Sequence, residues 1–489
     1  MTQTNLNAKI FTATKWSALT EILSKLVTPI TTMVLARILT PEAYGVVATF
    51  SIIIALSEVF SDAGFQKYLI QKKFNDDLER DRHTNVAFWS NLVMSISLWV
   101  IIVIFCHPLA LLVGSPGLGF ALVVSCVGIP LTGFSSIQMS LMKRDFDFKT
   151  LFGIRLFSIL IPIFITIPLA LVLRNYWALV LGNLVVNFAT ALFVSIKSTW
   201  RPQKFYSFRI LKEMFSFCSW SLIDSILVWA TAYADIFFIS RYLDSYYLGL
   251  YRTSISMVGH IVTLITATVL PVLMPSLSRL QDNLPEMRHL LLKFQKTTGI
   301  ILIPLGFGIF VFQDFITEVI LGSQWLEAAG VFGLWGLMEA ITVIFARFCS
   351  PVYPAIGKPR VSVIVQFFHV IVLIPAIIVS GKYGFEALYI TRSLIRLELV
   401  LVNVIAIYIM INQSFWKMLL NVMPQFICSA IMALIGCFLL RINKGLLISV
   451  LWVFICMGAY FLSMYILFPK DWAQINSLRL TVLNSMKRN

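Results

Sequence analysis

The sequence predicts an all-α integral membrane protein of about 14 transmembrane helices. Two six-helix bundles are expected as parallel repeats around a central cavity, followed by two extra C-terminal helices. Three observations lead to this prediction. Of the 489 residues, 59% are hydrophobic and 12% are charged, with a mean hydropathy of +0.87, which is atypical of soluble domains. The apolar residues fall into long runs, and a short motif recurs in the second half of the chain.

A helix needs about 20 mostly apolar residues to cross the hydrocarbon core of a bilayer. The chain contains such runs, which we number span 1 to span 14, at residues 15–36, 43–61, 84–106, 117–139, 151–173, 176–196, 215–240, 249–274, 297–319, 328–350, 361–380, 386–411, 418–440 and 446–467. The first residues lack a short apolar core with a small-residue cleavage site, so no removable signal peptide is expected.

Basic residues fix the expected orientation of these spans. With a cytoplasmic amino terminus, most of the 38 Lys and Arg residues fall in cytoplasmic segments. The predicted outside segments hold only Arg37, Arg174, Arg241, Lys382, Arg441 and Lys444. Because cytoplasmic loops of membrane proteins carry the excess of Lys and Arg, both termini are predicted to be cytoplasmic. The same asymmetry accounts for the net charge of +15 without a nucleic-acid partner.

The sequence lacks the motifs of an enzyme. We find no Walker loop, no HExxH and no clustered Cys or His ligands, so neither an ATP-driven engine nor a metal site is expected. The seven cysteines are dispersed without a CxxC pair and are interpreted as packing residues. Because every predicted loop is short, any functional chemistry must lie between helices.

An internal repeat relates the two halves of the chain. The segment ARILTPEAYG after span 1 and the segment SRYLDSYYLG after span 7 share Arg-x-Leu and a later Gly at the same offset. The offset that pairs Gly45 with Gly249 also pairs Trp16 with Trp220. Both spans leave the cytoplasm, so the halves would be parallel repeats, as in many transporters. This predicts bundles over residues 1–200 and 201–411, with spans 13 and 14 and a tail over 412–489.

Span 1 is unusually polar for a membrane helix. Its polar residues recur every three or four positions and therefore share one face. They are Ser17, Thr20, Glu21, Ser24, Lys25, Thr28, Thr31 and Thr32. Hydroxyl side chains alone are typical of helix packing. A carboxylate and an ammonium at this depth favour a hydrated cavity, although Glu21 and Lys25 also have the spacing of a self-neutralising ion pair.

Spans 7 and 8 carry charge as well. Asp224 and Asp235 are separated by nearly three turns and share a face of span 7. Arg252 lies about one turn inside span 8, where two interpretations stay open: a cavity residue or a cation that reaches the interface. Several further charges are interpreted as structural pairs, or, at the end of span 2, as capping or gating residues. They are Glu339 with Arg347, Arg392 and Arg396 with Glu398, and Glu58 and Asp62 at the inner end of span 2.

Four segments in order resemble one family. LARILTPEAYG (35–45), FSDAGFQKYLIQ (60–71), GSQWLEAAGVFGLWGL (322–337) and AIGKP (355–359) are similar to the bacterial polysaccharide flippases. These form the Wzx-type branch of the multidrug/oligosaccharidyl-lipid/polysaccharide exporter superfamily, and the similarity extends over essentially the whole chain.

The resemblance implies a flippase with two six-helix bundles around an alternately opening cavity. Its implied substrate is an undecaprenyl-diphosphate-linked oligosaccharide, moved to the outer leaflet for O-antigen, capsule or exopolysaccharide synthesis. It also implies that a gradient of H⁺ or Na⁺ drives transport, with no other cofactor. The expected surroundings are the lipids of a bacterial inner membrane. The expected protein partners are a polysaccharide polymerase and a chain-length regulator.

Site residues follow from combining this resemblance with the polar faces. Lys25 and Arg252 are candidates for binding the diphosphate. Arg can bind a phosphate group through two parallel hydrogen bonds, and Lys binds it as a point charge. Glu21, Ser24 and Thr28 are expected beside Lys25. Asp224 and Asp235 are candidates for ion coupling. The motif residues Arg37, Pro41, Gly45, Asp62 and Gly64 are expected at helix ends, in structural or gating roles.

Two alternatives stay open from the sequence alone. The first is a small-molecule exporter of the same superfamily. The second is a membrane polysaccharide polymerase or ligase, which would be an enzyme and would be expected to carry catalytic Arg or His residues on a long outside loop.

Overall fold

The computed structural model describes residues 3–358, 360–443, 445–469 and 471–472. Side chains are described from Trp16 onward, except at 17, 18, 22, 216, 220, 224, 268 and 270–272. The described residues form helices and connecting turns, with no β-strand among them. Fourteen of the helical segments are long and apolar enough to cross a membrane, which confirms the predicted number of spans and a multi-pass membrane protein.

The first seven spans are helices whose ends are set by local hydrogen bonding. Span 3 begins at Asp77, earlier than hydropathy predicts, because the Asp76 side chain accepts a hydrogen bond from the Glu79 N–H and caps the helix. Span 5 passes through a π-helical turn that starts at Pro162, a residue without a backbone donor. The helices are Gln3–Ile38, Pro41–Asp62, Asp77–Ile104, Gly119–Cys126 with Gly128–Arg144, Phe148–Ile161 with Pro162–Thr166 and Ile167–Leu173, Tyr176–Lys197 and Phe208–Ile239. The short helices Phe65–Gln71 and Cys106–Leu112 follow spans 2 and 3.

The remaining spans complete the set of fourteen. They are Ser245–Ser278, Leu284–Val311, Ala329–Thr342 with Ser323–Ala328 before it and Val343–Arg347 after it, Arg360–Gly381, Phe385–Leu394 with Arg396–Ile411, Phe415–Ile442 and Leu446–Leu467. Short helices also form at Gln313–Ile320 and Val352–Ala355. The predicted tail beyond Trp472 lies outside the described residues.

The chain divides into two compact units. One contains residues 1–253 and 377–385, and the other contains residues 254–376 and 386–489. Span 7, which the repeat assigns to the second bundle, belongs to the first unit in this structure. The division follows compactness alone, so the domain boundaries derived from the repeat stay a prediction.

Each unit has its own apolar core. In the first unit, the short helix Phe65–Gln71 is anchored between spans 3 and 7 through Leu69, Phe88 and Met214. In the second unit, spans 13 and 14 pack against span 9, and the Tyr460 hydroxyl donates a hydrogen bond to the Ile300 carbonyl at 3.0 Å. Five of the seven cysteines are buried and all seven are free.

Candidate functional site

The polar face of span 1 lies against span 5. Lys25 Nζ is 3.4 Å from Glu21 Oε2, so the predicted pair forms. Arg155 of span 5 donates through Nε to the Ser24 hydroxyl at 3.3 Å. The Arg155 side chain is exposed, as is that of Glu21, whereas Lys25 and Ser24 are partly buried. Two cations and one carboxylate therefore share this region, which leaves it with an excess positive charge.

The threonines of span 1 have a simpler arrangement. Thr20, Thr31 and Thr32 donate their hydroxyl hydrogens to carbonyl oxygens one turn earlier in the same helix, at 2.8 to 3.0 Å. The acceptor for Thr32 is the backbone carbonyl of Thr28. These bonds satisfy the hydroxyls within the helix. Among the described side chains of this face, Ser24 contacts another span, through Arg155.

Asp235 is tied to the start of span 8. Its carboxylate is 5% exposed and accepts hydrogen bonds from the Tyr251 hydroxyl at 3.0 Å and from the Ile236 N–H at 2.7 Å. The neighbouring Arg252 guanidinium lies 5.7 Å from the centre of the Tyr233 ring. The Asp224 side chain lies outside the described part of the chain. The described contact of Arg252 is thus with span 7, whereas that of Lys25 is with Glu21 on its own helix.

The two repeated motifs meet each other in the first unit. A methyl group added to Gly45 would lie 1.8 Å from the carbonyl oxygen of Ser245. One added to Gly249 would lie 1.8 Å from the carbonyl oxygen of Pro41. The offset that relates Gly45 to Gly249 also relates Pro41 to Ser245, so the contact is reciprocal. Spans 2 and 8 approach so closely here that only glycine fits at either position.

The remaining motif residues form helix ends. Pro41 is the first residue of span 2, a position at which the backbone N–H has no partner within the helix, so proline is tolerated there. Arg37 is exposed in the last turn of span 1. The Asp62 carboxylate accepts from the Gln66 N–H at 3.3 Å, and Gly64 follows with φ of 87°. A methyl group on Gly64 would lie 2.5 Å from the Ser221 Cβ of span 7. Asp62 and Gly64 therefore build a turn that packs against span 7.

A charged cluster that sequence analysis assigned only in part lies within the second unit. Glu339 of span 10 is 2% exposed, and its carboxylate accepts from Arg347 Nη2 at 2.5 Å and pairs with Arg396 of span 12. Arg396 and Arg392 stack on Trp335, at 3.9 and 5.0 Å from the ring centre. We call Glu339, Arg347, Arg392, Arg396 and Trp335 the arginine cluster. Two guanidinium groups, of Arg347 and Arg396, contact the one carboxylate, and 43% of the Arg347 side chain is exposed.

The structure shows partners for Glu398 and for Arg396 that the sequence did not predict. Glu398 Oε2 lies 2.9 Å from Nδ1 of the buried His369 on span 11. Arg396 pairs with Glu339 instead. Residues 396 and 398 are less than one turn apart and point to different sides of the helix, so adjacency in sequence could not bring them together.

Glu58 faces a small polar pocket in the first unit. The pocket has a volume of about 220 Å³ and is lined by Glu58, Ser125, Asn183, Asn187 and Tyr233 among others. The Ser125 hydroxyl is buried without a hydrogen-bond partner. Carboxylate, amide and hydroxyl oxygens suit a proton or a small hard cation. No group of three or more His, Cys, Asp or Glu side chains that could hold a metal occurs among the described residues.

An ion network joins the starts of spans 3 and 7. Lys72 Nζ lies 2.9 Å from His83 Nε2, 3.6 Å from Glu79 Oε1 and 4.0 Å from Glu213 Oε2. Burial disfavours the charged ammonium, but the interactions with Tyr68 and the two carboxylates outweigh it and raise the pKa of Lys72. Lys72 therefore stays charged at neutral pH, and its contacts with Glu79 and Glu213 join spans 3 and 7.

Comparison with known proteins gives the fold a context. A relative from Klebsiella pneumoniae, described as an uncharacterized membrane protein in the cps region, is 24% identical over 97% of this chain and 98% of its own length. The succinoglycan biosynthesis transport protein ExoT of Rhizobium meliloti is 24% identical over 73% of this chain and 71% of its own. A solved structure of the lipid II flippase MurJ in an inward closed conformation aligns with 93% of this chain, and the alignment includes 99% of the MurJ chain. The TM-score is 0.77 and the sequence identity is 15%.

The fold and the charged groups inside its spans define a polytopic membrane protein of the transporter type, in which ionisable residues within the bilayer indicate a hydrated path. The family model of polysaccharide biosynthesis proteins matches residues 34–330. The chain belongs to this family, which confirms the resemblance to polysaccharide flippases.

Proposed function

We propose that the protein is a flippase that moves undecaprenyl-diphosphate-linked oligosaccharide repeat units from the cytoplasmic to the outer leaflet by alternating access. The observation that carries the proposal is the exposed cation Arg155 beside Ser24 and Lys25, within spans of a polysaccharide biosynthesis protein. An exposed guanidinium within hydrocarbon is costly, so this region favours a hydrated route. A diphosphate matches its positive charge, while the polyprenyl chain stays in lipid.

Ion coupling is part of the same proposal. Asp235 is buried and hydrogen-bonded to Tyr251, Glu58 lines a polar pocket, and Asp224 lies on the same predicted face as Asp235. A carboxylate that binds H⁺ or Na⁺ loses its charge or pairs it, which changes the cost of moving between states. We place the protein in the bacterial inner membrane with both termini cytoplasmic, working beside a polysaccharide polymerase and a chain-length regulator.

The test is depletion of the protein in its native host, with radiolabelled lipid-linked repeat units measured in each leaflet. Depletion is expected to accumulate them on the inner leaflet, and wild type should reverse this. Lys25→Ala, Arg155→Ala and Asp224→Ala should fail to reverse it. For Arg155→Ala we expect a rate at least about tenfold lower, from the loss of a charge-assisted contact.

The matched control is Arg174→Ala, at a predicted outside turn after span 5, which should restore translocation when present at the same level. Accumulation on the outer leaflet would contradict the flippase and indicate a polymerase or ligase. Normal repeat units in both leaflets, with sensitivity to small toxic compounds, would indicate a small-molecule exporter.

A further inference from the structure

An apolar groove in the first unit is separate from the charged faces described above. It lies between the first halves of spans 3 and 7 and has a volume of about 870 Å³. Its walls include Trp89, Val93 and Met94 on span 3, and Leu211, Phe215 and Leu222 on span 7. Phe215 is 68% exposed and Val93 is 59% exposed. Both walls belong to membrane spans, so in a bilayer hydrocarbon must cover these side chains.

The mouth of the groove has the residues of a membrane interface. The Trp89 indole donates a hydrogen bond to the Gln203 carbonyl at 2.8 Å, and the hydroxyls of Ser90 and Tyr206 are 3.0 Å apart. Trp and Tyr with apolar bodies and hydrogen-bonded polar ends are enriched where the acyl region meets the headgroups. The mouth therefore marks headgroup depth, on the side of the membrane predicted to be cytoplasmic.

The positive charge at this mouth favours anionic lipids. Among the described residues that line the groove, Lys204 is the one charged side chain, and it is exposed. The segment 201–212 also contains Arg201, Arg209 and Lys212 and no acidic residue. Clusters of basic residues next to a span attract the phosphate groups of anionic lipids.

We propose that this groove is a binding site for an anionic phospholipid of the inner leaflet, with an acyl chain between spans 3 and 7 and the phosphate at Lys204. The apolar walls match a hydrocarbon chain, and Lys204 with its basic neighbours matches one phosphate. The site goes beyond the proposed transport function, because the groove contains none of the residues assigned to the transported substrate.

The lipid would act as a bridge between two spans. Span 7 begins at Phe208, directly after the segment that closes the groove, and its first turns are also held by the Lys72 and Glu213 network. A lipid that fills the groove buries the apolar walls of both spans at once. Binding to the folded protein alone should therefore raise its thermal stability.

The experiment is native mass spectrometry of the full-length protein with phosphatidylglycerol and phosphatidylcholine of identical acyl chains. Wild type is expected to retain more phosphatidylglycerol than phosphatidylcholine at equal concentration. Lys204→Gln should lower phosphatidylglycerol binding about fivefold, the value of one basic residue near an anionic surface, and leave phosphatidylcholine unchanged. A photoactivatable phosphatidylglycerol should crosslink within 89–97 and 211–222.

Two variants keep the test specific. Lys149→Gln changes an exposed lysine on the same predicted side that does not line the groove, and it should bind as wild type does. Ser97→Trp fills the groove and should remove the crosslink, while a Tm equal to that of wild type in detergent without added phosphatidylglycerol shows that the protein is folded. Equal retention of the two lipids by wild type, or unchanged phosphatidylglycerol binding by Lys204→Gln, would contradict a specific site and indicate that any bilayer lipid covers the groove. Displacement of the crosslink by undecaprenyl diphosphate at lower concentration would assign it to the substrate chain instead.

Discussion

Replacing Gly45 or Gly249 with alanine is expected to destabilise the protein by about 1–3 kcal/mol, the range for overpacking a close contact. Each added methyl group would lie 1.8 Å from a backbone carbonyl oxygen, of Ser245 or of Pro41. Because these atoms belong to helix backbones, no side-chain rotation relieves the overlap and spans 2 and 8 must separate. The measurement is the Tm of each purified variant, compared with wild type in the same detergent.

The double variant tests the reciprocity of this contact. One separation of the two helices makes room for both methyl groups, so the combined loss should be clearly smaller than the sum of the single losses. Gly259→Ala is the matched control, since Gly259 lies on the same helix as Gly249 and no atom is within 4 Å of an added methyl group. Fully additive losses, or an equal loss in Gly259→Ala, would contradict a shared close contact.

The close contact also shows what the repeat in the sequence could and could not reveal. The constant offset identified Gly45 and Gly249 as equivalent positions, but equivalence does not say that two positions touch. Their contact depends on how spans 2 and 8 cross, which is a property of tertiary packing. The arrangement of the two whole bundles, which the same repeat suggested, stays a prediction.

The number of spans was predictable because the bilayer sets both the length and the apolar content of a crossing helix. Helix ends were less predictable, because they follow hydrogen bonding rather than hydropathy. Span 3 starts at Asp77, directly after the capping residue Asp76, although the apolar run begins later. The break in span 4 between Cys126 and Gly128 also lies inside a continuous apolar run.

The contacts of the charged groups were also predictable only where both residues lie on one helix. The pair of Glu21 and Lys25 follows from their spacing along one helix. The approach of Arg155 to Ser24, and of Arg396 to Glu339, joins residues from different spans and needs the packed structure. A signal for Arg155 was present, since an arginine within a span with no nearby acidic residue on its own helix requires a polar environment from elsewhere.

Replacing Glu339 with glutamine is expected to cost about 3–5 kcal/mol, the range for removing one partner from a buried ion pair. The substitution keeps the shape of the side chain and removes the negative charge that both Arg347 and Arg396 face. The Arg347 and Arg396 guanidinium groups would then repel each other without a carboxylate that neutralises them. Thermal unfolding of the purified variant measures the loss, and Glu327→Gln, at an exposed side chain of the short helix Ser323–Ala328, should leave Tm unchanged.

Adding Arg396→Met to Glu339→Gln should recover part of the lost stability, because the apolar chain fills the space over Trp335 without a charge. Arg347→Gln should behave differently, since Arg396 continues to neutralise Glu339 and 43% of the Arg347 side chain is already exposed. We expect a much smaller loss of Tm for Arg347→Gln than for Glu339→Gln, because Glu339 keeps one cationic partner. A loss of Tm in Arg347→Gln as large as that in Glu339→Gln would contradict the assignment of Arg396 as the main partner of Glu339.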